Sequence, residues 1–288
     1  MTYPSAAITL LLPLLAGCLA AVYRHDPAFP KIDGAGLPGI VDATGALSYH
    51  VPSCGGRSLV YEGSATAKAC CSDTMVIYVP GANLSPTEQR RAIAVVREVF
   101  AEQGVGVVGL VWPSRPWLPY YPSVEESAAP HVGAAVLAPF LAVVAQRCPG
   151  SRVFLIGHSA GAGVVVHGLE ELARQGRSVD GVVLLAAAVD DRILENSVAL
   201  KATPWLISTS QPNDSALIGR DLILRGRALG RRVLPAAGLV LVPFDGSEHS
   251  FTDDPARFRD AVGRACRLRP KFCGAAAVNG GGGRPHSK

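Results

Sequence analysis

Residues 152–163 read Arg-Val-Phe-Leu-Ile-Gly-His-Ser-Ala-Gly-Ala-Gly. A short apolar run meets Gly157-His158-Ser159-Ala160-Gly161, and a helix-compatible segment follows. This is the G-x-S-x-G spacing of a nucleophile elbow. A strand that turns sharply into a helix throws one side chain out at its C-terminal end. The residue there is held in a strained conformation, and a Cβ two positions away on either side would collide with the turn. Gly157 and Gly161 remove those collisions. Ser159 Oγ then faces outward at a helix N-terminus, where backbone N–H groups and the helix dipole favour a developing oxyanion. Its chemistry would be nucleophilic, provided a neighbouring base takes the hydroxyl proton.

Such a serine needs a sheet to hold it, and the rest of the chain predicts one. Met75–Pro80, Val105–Trp112, Val153–Ile156, Gly181–Val189, Thr203–Ser210 and Leu239–Val242 read as strands, most of them almost continuously apolar. Helical patterns lie between them. Ser85-Pro86-Thr87-Glu88 is a capping box with proline at the first helical position, and Gly104 closes that helix. A second helix over Glu125–Gln146 is bent or split by Pro130 and Pro139. Others follow over Ala160–Gln175, Ser215–Arg232 and Pro255–Arg267, the last with Phe258, Ala261, Val262 and Ala265 on one face. Apolar strands alternating with helices predict the α/β class: a mostly parallel central sheet with helices on both faces.

In such a sheet the ligand crevice lies beyond the carboxyl ends of the strands. The residues found there are Pro80-Gly81-Ala82-Asn83, then Ser159, Asp190-Asp191, Asn213-Asp214, and finally Asp245-Gly246-Ser247-Glu248-His249-Ser250. Hydroxyl, carboxylate and imidazole therefore fall at one edge in the chain order Ser, Asp, His. On these residues the run from Met75 to Phe251 resembles the α/β-hydrolase superfamily. It is most similar to a branch of serine hydrolases of unassigned activity, through Trp112-Pro113-Ser114, Ala187-Ala188-Val189-Asp190, Asp214-Ser215-Ala216-Leu217 and His249-Ser250-Phe251. Where the superfamily's oxyanion loop usually has His-Gly, this chain has Pro80-Gly81.

The resemblance implies an α/β-hydrolase fold and a set of roles. Ser159 is the expected nucleophile and His249 its base, since His249 is in the only histidine-bearing loop after the last strand. Asp214 is the first choice for the acid that orients the imidazole, and Asp190 is its rival. Asp245 reads as a turn residue before Gly246. The backbone N–H groups of Ala82 and Ala160 would form the oxyanion hole, with Asn83 ordering the loop. His158 is expected to point its ring away from the nucleophile, and His167 to be packed or solvated on the following helix. His25, His50, His131 and His286 have no strand-end context. Trp112, Trp117, Tyr120 and Tyr121 would either line an acyl or aromatic pocket or pack a rigid surface loop. Arg220, Arg225, Arg227, Arg231 and Arg232 read as a solvated helix face, with contact to an anionic membrane as the alternative.

Composition narrows the function class. The chain has 288 residues, a formal net charge of +4 and 49% hydrophobic residues, which suit a globular domain and give no nucleic-acid signature. No Cys/His cluster supports a metal, and no cofactor is expected. Residues 6–22 carry no charge and contain Pro13, which fits a secretory signal better than a membrane span. Leu15-Ala16-Gly17-Cys18 resembles a lipobox, although Met1–Ser5 lacks Lys and Arg. The organisation expected is a signal or anchor over 1–21, an irregular arm or short edge strands over 22–74, the hydrolase domain over 75–273, and a tail over 274–288. Six further cysteines (Cys54, Cys70, Cys71, Cys148, Cys266 and Cys273) suggest up to three disulfides in an exported protein. Cys266 with Cys273, and Cys54 with Cys70 or Cys71, are the local pairs. The expected partner is a small-molecule or lipid ester, with membrane contact through the N-terminal segment. Three functions remain open: an exported ester hydrolase working through an acyl-enzyme, an acyltransferase or peptidase with the same triad, and a non-catalytic binding module on a hydrolase fold.

Overall fold

The computed structural model describes residues 39–41, 47–48, 72–101, 104–112, 114, 128–234, 236, 238–245 and 248–268. Its strands are β1 (Gly39–Val41), β2 (Leu47–Ser48), β3 (Thr74–Val79), β4 (Gly106–Val111), β5 (Arg152–His158), β6 (Gly181–Leu185), β7 (Leu206–Ser210) and β8 (Leu239–Pro243). They form one sheet in the order β2-β1-β4-β3-β5-β6-β7-β8. The six strands from β4 to β8 pair in parallel, and β1 and β2 extend the β4 edge in antiparallel fashion. The predicted α/β architecture is therefore the one found.

The helices are α1 (Pro86–Ala101), α2 (Ala129–Val132), α3 (Ala138–Arg147), α4 (Gly161–Arg174), α5 (Ile193–Asn196), α6 (Val198–Ala202), α7 (Ser215–Leu224) and α8 (Pro255–Leu268). Successive strand residues point to opposite faces, so each strand feeds two cores. Ile77 and Val79 of β3 join Leu155, Val182 and Leu184 under α2, α3 and α4. Val76 and Tyr78 join Phe154, Ile156 and Val183 under α1 and α8, where Ile93, Phe100, Phe258 and Val262 are buried. Burial on both faces is why the strands read as continuous apolar runs.

Local signals place several boundaries. The capping box forms: Glu88 N–H donates to Ser85 Oγ (3.2 Å) and Ser85 N–H donates to Glu88 Oε2 (2.7 Å). The expected helix over 125–146 is split, with a π-helical turn at Gly133–Leu137 joining α2 to α3. Two expectations are corrected. The strand predicted over Gly181–Val189 stops at Leu185, because Ala186 takes a left-handed φ of 43° and gives its N–H to Thr209 Oγ1 (2.7 Å). The helix predicted over Ser215–Arg232 stops at Leu224, where Arg225 turns left-handed at φ 51°, and Leu229–Arg231 forms a separate 3₁₀ turn. The short α5 and α6 have too few residues to show a helical period in the sequence; Ser197 caps α6 by accepting from Leu200 N–H (3.0 Å).

Among the described residues no helix is long and apolar enough to cross a membrane. The 1–21 segment with Cys18, the 274–288 tail, and Cys54, Cys70, Cys71 and Cys273 lie outside the described residues, as do Trp117, Tyr120, Tyr121, His25, His50 and His286.

Candidate active site

The chain reverses its direction across the sheet at β3, which has β4 on one side and β5 on the other. A ligand crevice opens at such a reversal because the loops leaving the two strands diverge. Val79 pairs with Gly157, so the Pro80–Ala82 loop leaves β3 beside the turn that carries Ser159. Ser159 has a left-handed φ of 52°, the strained backbone expected of an elbow. Its N–H donates to Leu185 O (2.9 Å), and its carbonyl accepts from Ala162 (3.0 Å) and Ala188 (3.1 Å). These bonds hold the strain in place. The flanking glycines are required sterically. A Cβ on Gly161 would lie 2.4 Å from the carbonyl oxygens of both Val79 and Pro80, and one on Gly157 would lie 2.8 Å from Ala162 Cα.

His249 reaches the elbow from the loop after β8. Its Nε2 lies 2.7 Å from Ser159 Oγ and its Nδ1 lies 2.8 Å from Asp214 Oδ2. Three contacts fix the backbone at Glu248 and His249. Gln211 Nε2 donates to Glu248 O (2.8 Å), Arg257 Nη2 donates to the same oxygen (2.6 Å), and His158 Nε2 donates to His249 O (3.1 Å). Asp214 is fully buried at the start of α7 and uses both oxygens. Oδ1 accepts from Leu217 N–H (3.0 Å) as the helix N-cap, and Oδ2 holds the imidazole. A carboxylate there makes Nδ1 the protonated nitrogen and leaves Nε2 as the acceptor of the serine proton.

The loop after β3 is braced from β4. Gln89, on α1, is fully buried. Its Nε2 donates to Trp112 O (2.8 Å), Ser114 Oγ (3.1 Å) and Leu84 O (3.1 Å), while its Oε1 accepts from Trp112 N–H (3.0 Å). Trp112 Nε1 donates to Pro80 O (2.9 Å), and Asn83, at φ 62°, donates its N–H to Ser114 O (3.0 Å). Trp112 is thus a buried brace (0% exposed) and neither of the two expected pocket or surface roles describes it. Gly81 lets the loop close on the elbow: a Cβ there would meet Ser159 Cβ at 3.0 Å. The N–H groups of Ala82 and Ala160 have no hydrogen-bond acceptor among the described residues. Loop and elbow border a cavity of about 380 Å³ lined by Gly81, Ala82, Leu84, Ala92, Val95, Ser159, His249 and Ser250, with Glu88, Arg91 and Asp253 also in its wall.

His158 corrects an expectation. Its ring does not turn away from the site but lies against that of His249, with centroids 5.2 Å apart, and is edge-on to Phe251. Burial, reinforced by the His249 charge, pushes its pKa down to about 3, so it is neutral. A neutral ring with Nε2 donating leaves Nδ1 as an acceptor, and that atom is buried without a partner. Sequence reasoning missed Gln89, Gln211 and Arg257 altogether. Gln89 reaches Trp112 across 23 positions and Gln211 reaches Glu248 across 37, and no local spacing signals either.

The remaining candidates stand elsewhere. Asp190 is not brought to His249. Its carboxylate grips Arg192 (2.7 and 2.8 Å), which holds its pKa below the usual value, and it lines a separate cavity with His167 and Arg220. Asp245 is exposed, and so is His131. His167 is partly buried, which lowers its pKa. The arginines do not share one solvated face: Arg220 and Arg231 pair with Asp221, Arg232 lies 3.6 Å from Asp191, and only Arg220 belongs to α7 itself. No cluster of three or more metal-binding side chains occurs among the described residues.

Residues 65–218 match the family model described as "Alpha/beta hydrolase of unknown function (DUF900)". That span includes Ser159 and Asp214 and stops short of His249. No curated protein matches the chain. Similar solved structures include a predicted CIB-like hydrolase from Thermoplasma acidophilum, with 15% identity, 82% of this chain and 99% of that one covered, and a TM-score of 0.43. Another is a thermophilic esterase from Thermogutta terrifontis, with 14% identity, 73% and 86% covered, and a TM-score of 0.45. A third is a serine hydrolase without a lid from Xanthomonas campestris, with 14% identity, 68% and 82% covered, and a TM-score of 0.42.

Proposed function

Because the chain belongs to the α/β-hydrolase family matched over residues 65–218, we propose that it is an exported serine hydrolase that cleaves carboxylic esters through an acyl-enzyme. One observation carries the reading: both nitrogens of His249 are engaged, one with Ser159 Oγ and the other with the buried Asp214. An ester carbonyl in the cavity receives Ser159 Oγ while His249 Nε2 takes the hydroxyl proton. Asp214 stabilises the imidazolium without itself being protonated. The oxyanion is received by the N–H groups of Ala82 and Ala160, and each such donor supplies about 3 kcal/mol in the transition state. His249 then protonates the departing alkoxide, takes a proton from a water as it attacks the acyl carbon, and returns that proton to Ser159 Oγ as the acyl–oxygen bond breaks and the acid leaves.

Export rests on the uncharged segment over residues 6–22 and on six further cysteines that would pair as disulfides in an oxidising compartment. The domain limits 1–21, 22–74, 75–273 and 274–288 belong to the same proposal.

The test is labelling with a fluorophosphonate probe and hydrolysis of p-nitrophenyl esters of graded acyl length by wild type and Ser159→Ala. The variant is expected to melt like the wild type, to take no label, and to lose turnover by roughly a million-fold. Unchanged ester turnover in the variant would refute the reading.

A further inference from the structure

Helix α7 is built inside out. Its inner side carries Leu217 and the ion pair of Arg220 with Asp221, both nearly buried. Its outer side carries Ala216, Ile218, Leu222 and Ile223, with Leu222 78% exposed and Ile223 53% exposed. A solvated helix places its charges outward, so this pattern marks a face selected to leave water. The segment after the helix continues the patch. Arg231 bonds Asp221 and Pro212 O, which lays the 3₁₀ turn along α7, and Val233 and Leu234 beyond it are exposed by 56% and 68%.

The charge around this face selects its occupant. Residues 215–234 contain five arginines and a single acid, Asp221, which is turned inward and neutralised. Arg225 and Arg227 are exposed and make no ion pair among the described residues. A second copy meeting this face across a two-fold axis would set those arginines against their own images. An anionic lipid surface satisfies both halves of the pattern, because aliphatic side chains enter the acyl boundary while arginines reach phosphate headgroups. We propose that α7 and the segment to Leu234 form a docking face for membranes carrying anionic phospholipid. This surface is distinct from the N-terminal segment and stands independently of the proposed reaction, since binding alone reads it out.

The test is co-sedimentation of the full chain with phosphatidylcholine vesicles with and without 30% phosphatidylglycerol, an amount of the order that gives a strongly negative surface. Wild type is expected to bind the anionic vesicles and to release as salt rises. L222S/I223S, both exposed positions, should weaken binding at least tenfold, and R225E/R227E by roughly thirtyfold or more, from the loss of two cation contacts. Leu222→Trp supplies a local readout once the wild-type emission of the three native tryptophans is subtracted, and that difference emission should shift to the blue on anionic vesicles only. The proposal fails if the substitutions leave binding unchanged, or if the protein sediments while the Leu222→Trp emission stays put, which assigns binding to another segment. It also fails if wild type ignores the vesicles and elutes as a dimer that L222S/I223S dissociates.

Discussion

Asp214 performs two separable jobs with its two oxygens, and the choice of substitution can divide them. Oδ1 caps α7 through Leu217 N–H, while Oδ2 holds His249 Nδ1. Asn at this position keeps an oxygen for the cap but turns its NH₂ toward the imidazole. That donor forces the proton onto Nε2, the atom that must accept from Ser159. Turnover should then fall by about 10³–10⁴, the scale of an imidazole held in the wrong tautomer. Stability should stay within about 1 kcal/mol of wild type, because only one buried hydrogen bond is altered. Asp214→Ala removes both contacts. The lost cap costs about 1 kcal/mol, and leaving the partly buried His249 N–H unpaired costs about 1–3 kcal/mol, so a total of about 2–4 kcal/mol is expected. Denaturant unfolding measures the stability change, and p-nitrophenyl ester hydrolysis measures the loss of turnover. The reasoning collapses if Asp214→Asn retains turnover within tenfold of wild type, or if the Asn and Ala variants are equally destabilised.

Three further expectations follow from the same geometry. Asp190→Asn should leave ester turnover within about twofold, since Asp190 is committed to Arg192 at the surface; a larger loss would return it to the triad. Replacing Gln89 by Leu strips partners from the N–H and the carbonyl of buried Trp112, at about 1–3 kcal/mol for each buried group left unpaired. Melting temperature and turnover should fall together as the loop bearing Ala82 loosens, and retention of both would disprove the brace. His158 stays neutral in the folded chain down to about pH 3, whereas an unfolded histidine takes a proton near pH 6.5. Its contribution to stability is therefore complete above about pH 6.5 and is lost as pH falls toward 3, because only the unfolded state binds the proton. Wild type should lose more stability than His158→Gln between pH 7 and pH 4 in paired denaturant titrations, and parallel losses would argue against it.

The sequence alone determined the alternation of strands and helices, the elbow at Ser159, and the set of polar residues at strand ends. Each of these is a local or periodic property: apolar runs buried on both faces, glycines flanking a serine, a capping box. It also left choices that no local rule could make. Asp214 and Asp190 both follow strands, and only the register of β6, β7 and β8 carries one of them to His249 and leaves the other with Arg192. His158 read as turned away because strand alternation sends neighbours to opposite faces. Ser159, however, leaves the strand with a left-handed φ, and the incoming loop brings the backbone of His249 onto the His158 ring. The helix over Ser215–Arg232 was cut at Arg225 by a backbone conformation that propensity does not anticipate in arginine. Gln89 and Gln211 were silent because their hydrogen bonds to Trp112 and Glu248 cross 23 and 37 positions, and Arg257, nine positions from Glu248, because its bond joins a helix to a loop; all three depend on where whole elements pack, which the assembled sheet decides.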